Sequence, residues 1–185
     1  MRDVRHDGSK WSNSEEDRIE ISGYDPGWSA EYETESNKIS AELGSNLLLE
    51  IHHIGSTAIP GMAAKPIIDI LLIVHEWSER ARVIQALQKL GYVYWAENPE
   101  PGRMFFVKGM PPFGARRTHH VHVFDDVAER KRRIFFRDYL RLHADTAREY
   151  MELKRRLAEQ FSNDRDAYTR GKDEFIGRIC AGMKN

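Results

Sequence analysis

The chain reads as an α+β fold: a β-sheet flanked by helices, followed by a helical C-terminal part. Three observations predict this. Two apolar, β-branched runs, residues 47–51 and 67–74, bracket a loop of small residues. Three further short stretches, residues 92–95, 103–108 and 116–124, have strand character. Beyond Phe124 the apolar residues recur only at helical spacing. A strand-rich middle followed by a run of helices is the pattern of an α+β domain.

At 185 residues the chain forms one domain, long enough to bury a core. Hydrophobic residues make up 41 % and charged residues 31 %, and the formal net charge is −1. No global field therefore draws the chain to nucleic acid or a membrane. The single cysteine, Cys180, excludes an internal disulfide and a Cys-rich zinc site. No run approaches the roughly 20 apolar residues of a membrane span. The polar N-terminus lacks the apolar core of a secretory signal. A cytoplasmic protein is expected, with no membrane or nucleic-acid partner indicated and the oligomeric state left open.

In order, residues 1–18 are polar and without period, and are expected to form a disordered tail before a single domain over 19–185. Ile19-Glu20-Ile21 suits a short edge strand. Asp25-Pro26-Gly27 turns the chain into a helix whose buried face carries Trp28, Tyr32, Ile39 and Leu43, with Gly44 as its stop. In the run 67–74, alternation places Ile67, Asp69, Leu71 and Ile73 on one face. Both faces are mostly apolar, so the strand is central. Asp69 is then a carboxylate on a covered sheet, needing a metal, a cation or a proton. Ser78 is placed to cap a helix reaching about residue 90, with Val83, Ile84, Leu87 and Leu90 inward. Residues 98–102 form a turn and 109–114 a connection. Three helices follow, over 126–143, 145–161 and 164–182, with Asp145 and Asp164 as N-caps. Phe135, Phe136, Tyr139, Leu140 and Leu142 read as packing residues. The basic runs Lys131-Arg132-Arg133 and Lys154-Arg155-Arg156 read as solvated faces.

Chemistry concentrates in two stretches. The loop between the first two strands holds Gly55, Ser56, Thr57 and Lys65, and Asp69 lies on the strand that leaves it. Glycine admits close backbone approach, hydroxyls and free N–H groups attract anions, and a carboxylate holds a divalent cation. His53 either contacts a ligand or caps the loop. In the second stretch, alternation places Thr118, His120, His122 and Phe124 on one face, and Val121 and Val123 on the inward face. His120 and His122 then line the cleft that Asp69 enters. They can ligate a metal, shuttle protons or bind phosphate, or form a simple hydrogen-bonded strand pair. Arg103, Lys108, Arg116 and Arg117 are phosphate-clamp candidates or solvated charges.

The stretch from His53 to Ile70 resembles the signature of the GrpB family, which belongs to the nucleotidyltransferase-like superfamily related to DNA polymerase beta. The resemblance spans Ile19 to Met183. It includes Tyr24-Asp25-Pro26 with Trp28, Gly102-Arg103 with Phe105-Phe106, and Arg117-Thr118-His119-His120-Val121-His122-Val123. Near the C-terminus it includes Asp166-Ala167-Tyr168-Thr169 and Gly171-Lys172. It implies a mixed sheet of nucleotidyltransferase type with the helical part packed beside it. Gly55-Ser56 and Asp69 match the superfamily's Gly-Ser and first acid, while Leu71 stands where the second acid belongs. The implied function is that of a metal-dependent nucleotidyltransferase-like protein acting on or binding a nucleotide or phosphorylated small molecule. Asp69, His120 and His122 would be its catalytic and metal residues. His53, Gly55, Ser56, Thr57, Lys65, Arg103 and Arg117 would bind phosphate. The cofactor would be a divalent metal, Mg or Mn, with Zn as the alternative. A second reading is a catalytically inactive nucleotide- or phosphate-binding module of the same fold. A third is a histidine phosphate-ester hydrolase, in which Phe124 replaces the third histidine of a triad motif.

Overall fold

The two runs on either side of the Gly-Ser loop become adjacent antiparallel strands, β1 (Leu48–Ile54) and β2 (Ile68–Val74). A computed structural model describes residues 18–97, 102–110 and 114–183. β5 (His119–Phe124) lies parallel to β2. Antiparallel β4 (Arg103–Lys108) and the two-residue β3 (Val93–Tyr94) complete a five-stranded mixed sheet of order β1-β2-β5-β4-β3. β2 is an interior strand, as its two apolar faces require.

One face of the sheet is covered by α1 (Gly27–Leu47) and α2 (Arg80–Lys89). Ile39 and Leu43 of α1 and Val83 and Leu87 of α2 join Ile68, Ile70, Leu72, Val121 and Val123 in the main core. On the opposite face, Ile54, Leu71 and Phe124 pack against Ile134 of α3 (Val127–Leu142). The helical C-terminal part continues with α4 (Ala144–Gln160), α5 (Arg165–Arg170) and α6 (Asp173–Cys180). Ile59 and Met62, from the loop after the Gly-Ser pair, are buried with Leu140, Tyr150 and Phe175 of these helices. The loop is therefore also the seat of the helical part. Arg141 of α3 donates two hydrogen bonds to Ala58 O, at 2.9 and 2.7 Å, and Arg137 one to His53 O at 2.8 Å. These satisfy a carbonyl of the edge strand β1 and one of the irregular loop.

Several expectations are revised. Ile19-Glu20-Ile21 forms no strand; pairing there is a single bridge from Ser22 to Ala64, while Ile19 is buried against Leu157, Ala158 and Tyr168. β1 runs three residues further than its apolar stretch, through His52 and His53, because β2 pairs with it to Ile54. Gly44, at φ +65°, interrupts α1 as expected, but one more turn follows. Ser78 lies inside a 3-10 turn, and Glu79 precedes α2. The last strand begins at His119, so Arg116 and Arg117 lie in its approach. His143 precedes α4 and Asp145 sits within its first turn, whereas Asp164 caps α5 by accepting from the Ala167 N–H. The last helix is divided at Gly171, whose Cβ position lies 2.5 Å from Leu157 Cδ2, so the chain turns tightly against α4 there. Leu142 is exposed, and Lys154 is buried and donates to Ala63 O. The expected tail, apart from Arg18, and most of the 98–102 turn and the 109–114 connection lie outside the described residues.

α1 is also tied to the sheet by charge. Glu35 is 3 % exposed and pairs with Lys108 Nζ at 2.6 Å. Burial opposes ionisation of Glu35, but the Lys108 hydrogen bond and charge outweigh it and hold the carboxyl below its ordinary range. Glu35→Ala leaves Lys108 uncompensated and is expected to lower unfolding free energy by about 3 kcal/mol. Urea denaturation checks this, and Glu35→Ala with Lys108→Ala should lose less than the sum of the two single changes.

Candidate functional site

The register of β2 on β5 sets Asp69 opposite His120 and Leu71 opposite His122. Asp69 Oδ1 lies 3.1 Å from His120 Nδ1 and 3.4 Å from His122 Nε2. One carboxylate oxygen and two imidazole nitrogens fall within 4.8 Å of one another. Gly55, at φ +71°, lies directly beside the carboxylate: a Cβ there would sit 2.5 Å from Asp69 Oδ2. The glycine of the Gly-Ser pair thus makes room for the acid of the next strand.

The tautomer of His122 follows from its neighbours. Arg103 approaches its Nδ1 at 3.0 Å, and a guanidinium only donates. Nδ1 therefore accepts, and the ring proton sits on Nε2, donated to Asp69. The Arg103 guanidinium also lies over the Phe105 and Phe124 rings at 4.5 and 5.7 Å. His120 directs Nδ1 to Asp69, and its Nε2 is buried with no hydrogen-bond partner among the described residues. Burial opposes ionisation of Asp69, but the two histidine hydrogen bonds more than offset it and hold the carboxyl well below its usual range. Burial depresses His120 to about 4 and His122 to about 3, against the pull of Asp69.

The remaining expected residues divide. Lys65 and Arg117 are gathered around the cluster. Lys65 acts electrostatically on both Asp69 and His120, and Arg117 lies over Trp95 at 5.3 Å and acts on His120 and Lys65. His53 and Thr57 turn inward: His53 Nε2 bonds Thr57 Oγ1 at 3.0 Å, and its ring stacks on Tyr32 of α1 at 4.6 Å. Thr57 also donates to Ile67 O at 3.4 Å. Ser56 opens the 3-10 turn after Gly55 and is partly exposed. Lys108 is engaged by Glu35 and Arg116 is exposed. Leu71, in the place of a second acid, is fully buried beneath α3 with Ile54 and Phe124. A carboxylate there would be an unpaired buried charge in this packing.

Sequence reading did not single out Lys172 and Arg165, from the helical part, both of which act electrostatically with Lys65 beside Asp69. Their signal was the Gly171-Lys172 pair, which carries no chemistry until α5 and α6 are folded against the loop.

The five-stranded sheet carries its acid at the start of β2, beside the Gly-Ser turn and the helical part. The Cid1 poly(U) polymerase in its MgGTP-bound form shares this fold at a TM-score of 0.50 and 16 % identity, over 76 % of this chain and 44 % of that one. The chain belongs to the GrpB family: the model for "GrpB protein" matches residues 18–181. The crystal structure of the conserved protein GrpB from Enterococcus faecalis is similar at a TM-score of 0.78 and 37 % identity, over 88 % of this chain and 95 % of that one. A UPF0157 protein of Pseudomonas aeruginosa is 51 % identical over 175 residues, 95 % of this chain and 72 % of that protein. No helix among the described residues is long and apolar enough to cross a membrane.

The buried histidines make stability acid-sensitive. His53, pushed by burial to about 4, His120 and His122 all bind protons more weakly when folded than at their ordinary value of 6.5. The unfolded chain therefore holds more protons between these limits, and stability is lost as pH falls from 6.5 toward 4. Metal-free protein is expected to take up about three protons on unfolding in that window. Melting temperature measured against pH in EDTA checks the slope, which His122→Gln should reduce by about one third.

Proposed function

We propose that the chain binds a nucleotide or other phosphorylated small molecule over Asp69, His120 and His122, with a divalent metal held by those three side chains. The observation that carries this reading is the set of one carboxylate and two imidazoles at one point of the sheet, with Lys65, Arg103 and Arg117 about it. The donor set fits a metal ion in type and separation, with His120 Nδ1 and His122 Nε2 both facing Asp69 Oδ1. Two imidazoles favour Mn or Zn over Mg. A bound metal would supply Lewis-acid stabilisation of phosphoryl oxygens. The protein's own part is to hold Asp69 ionised, to keep the imidazoles neutral and thus able to ligate, and to offer cations to phosphate. The GrpB family and its fold support the reading, and transfer of a nucleotidyl group is the reaction class proposed.

His120 must move its proton from Nδ1 to Nε2 to ligate beside Asp69, and one contact must change for His122 to ligate through Nε2. Its proton would then move to Nδ1, facing the Arg103 donor. Arg103→Met is accordingly expected to tighten Mn or Zn binding about tenfold, measured by titration calorimetry. The central test is a thermal-shift panel of nucleoside triphosphates with Mg, Mn and Zn. A metal-dependent rise in melting temperature is expected for wild type and not for Asp69→Asn or His120→Ala. No metal-dependent shift with any nucleotide would sink the proposal.

The burial of Leu71 under α3 favours a second reading, a binding module without transfer chemistry, because a two-metal site wants further acids. Tight binding without turnover across the same panel would decide for it.

A further inference from the structure

The helical part brings its own cations to the site. Tyr168, at the centre of α5, is 1 % exposed, and two ammonium groups lie over its ring. Lys65 Nζ is 4.8 Å from the ring centroid and Lys172 Nζ is 4.6 Å from it. Lys65 comes from the loop between β1 and β2. Lys172 comes from the turn between α5 and α6, which Gly171 holds tightly against Leu157 of α4. Among the described residues neither ammonium makes a hydrogen bond or an ion pair. The Tyr168 ring is their common neighbour, and a cation gains only about 0.5–2 kcal/mol there.

The two ammonium groups repel one another. Burial first, and then Arg165, Lys172 and Arg117, push the Lys65 ammonium well below its ordinary range, and Asp69 opposes them. Burial likewise lowers Lys172 to about 8, with Asp69 and Asp173 opposing and Arg165 and Arg133 adding to the shift. Lys65 and Lys172 thus both bear on Asp69, which the two histidines already engage. Half-buried like charges repel unless an anion joins them. Among the described residues no carboxylate forms an ion pair with Lys65 or Lys172, and lysine is a good point-charge partner for phosphate.

We propose that Lys65 and Lys172, gathered on the Tyr168 ring beside Asp69, bind the terminal phosphates of a ligand with two or more linked phosphates. This rests on the reading of Asp69, His120 and His122 as the metal and phosphate site, and narrows its substrate to a nucleoside di- or triphosphate. A monophosphate would reach either the metal that Asp69, His120 and His122 would hold or the lysine pair, and leave the other unanswered. A polyphosphate spans both. It would also tie the loop to the α5–α6 turn, joining sheet and helical part through the ligand.

The test uses the full chain in EDTA, with inorganic tripolyphosphate and orthophosphate as probes in titration calorimetry. Tripolyphosphate is expected to bind at least about tenfold more tightly than orthophosphate, and Lys172→Met and Lys65→Met to weaken it by about ten- to a hundredfold each. Both variants remove a half-buried charge, so their melting temperatures should not fall, and calorimetry on them reads binding and not unfolding. Asp69→Asn should leave metal-free tripolyphosphate binding intact or tighten it. Equal affinity for the two probes, or wild-type affinity in Lys172→Met, would overturn the lysine cradle. If metal-dependent nucleotide shifts persist in that variant, the Asp69 site stands without the cradle. Lysine-dependent tripolyphosphate binding with no metal-dependent nucleotide shift would support the cradle and overturn the metal reading instead.

Discussion

The Asp69 carboxylate is the constraint to which the rest of the structure answers. It projects from a strand whose other face is core, beneath a glycine that cannot carry a Cβ, and it accepts from two imidazoles of the neighbouring strand. Each condition follows from the one before. The parallel register of β5 on β2 brings His120 level with Asp69. The bonds from His120 and His122 keep the acid ionised despite burial. The positive φ of Gly55 lets the loop pass close enough to cover it.

The loop between β1 and β2 serves two purposes that are hard to separate. Its start frames the acid. Its middle, through Ile59 and Met62, is the hydrophobic seat of α3, α4 and α6. Arg137 and Arg141 then bind the carbonyls of His53 and Ala58, so the helical part is hydrogen-bonded to the same segment it packs on. Movement of the helices would be felt at Asp69 through this connection. Lys154, which donates to Ala63 O, adds a further tie.

The departure at Leu71 also has a structural account. In this fold a second acid two residues after the first would face the same side of the sheet. Here that side is closed by α3 through Ile134, with Phe124 and Ile54 completing a small apolar cluster. The histidines of β5 instead stand beside the acid on that side. Neutral imidazoles tolerate burial beside Phe105 and Phe124 better than carboxylates would.

Much of this was legible in the residues themselves. Period-2 alternation set Asp69 on one face of a central strand, and His120 and His122 on one face of another, because successive side chains of a strand must point to opposite sides. The break at Gly44, the Asp164 cap and the inward residues Val83 and Leu87 follow from equally local rules. Local rules did not reach as far as partner choice. Whether His53 meets a ligand or Thr57, whether Lys154 faces water or Ala63, and whether Leu71 leaves room for an acid depend on which helix lies across the sheet. The gathering of Lys65 and Lys172 on Tyr168 is of the same kind. These residues are far apart in the chain, and only the packing of the helical part on the loop gives their charges a common address.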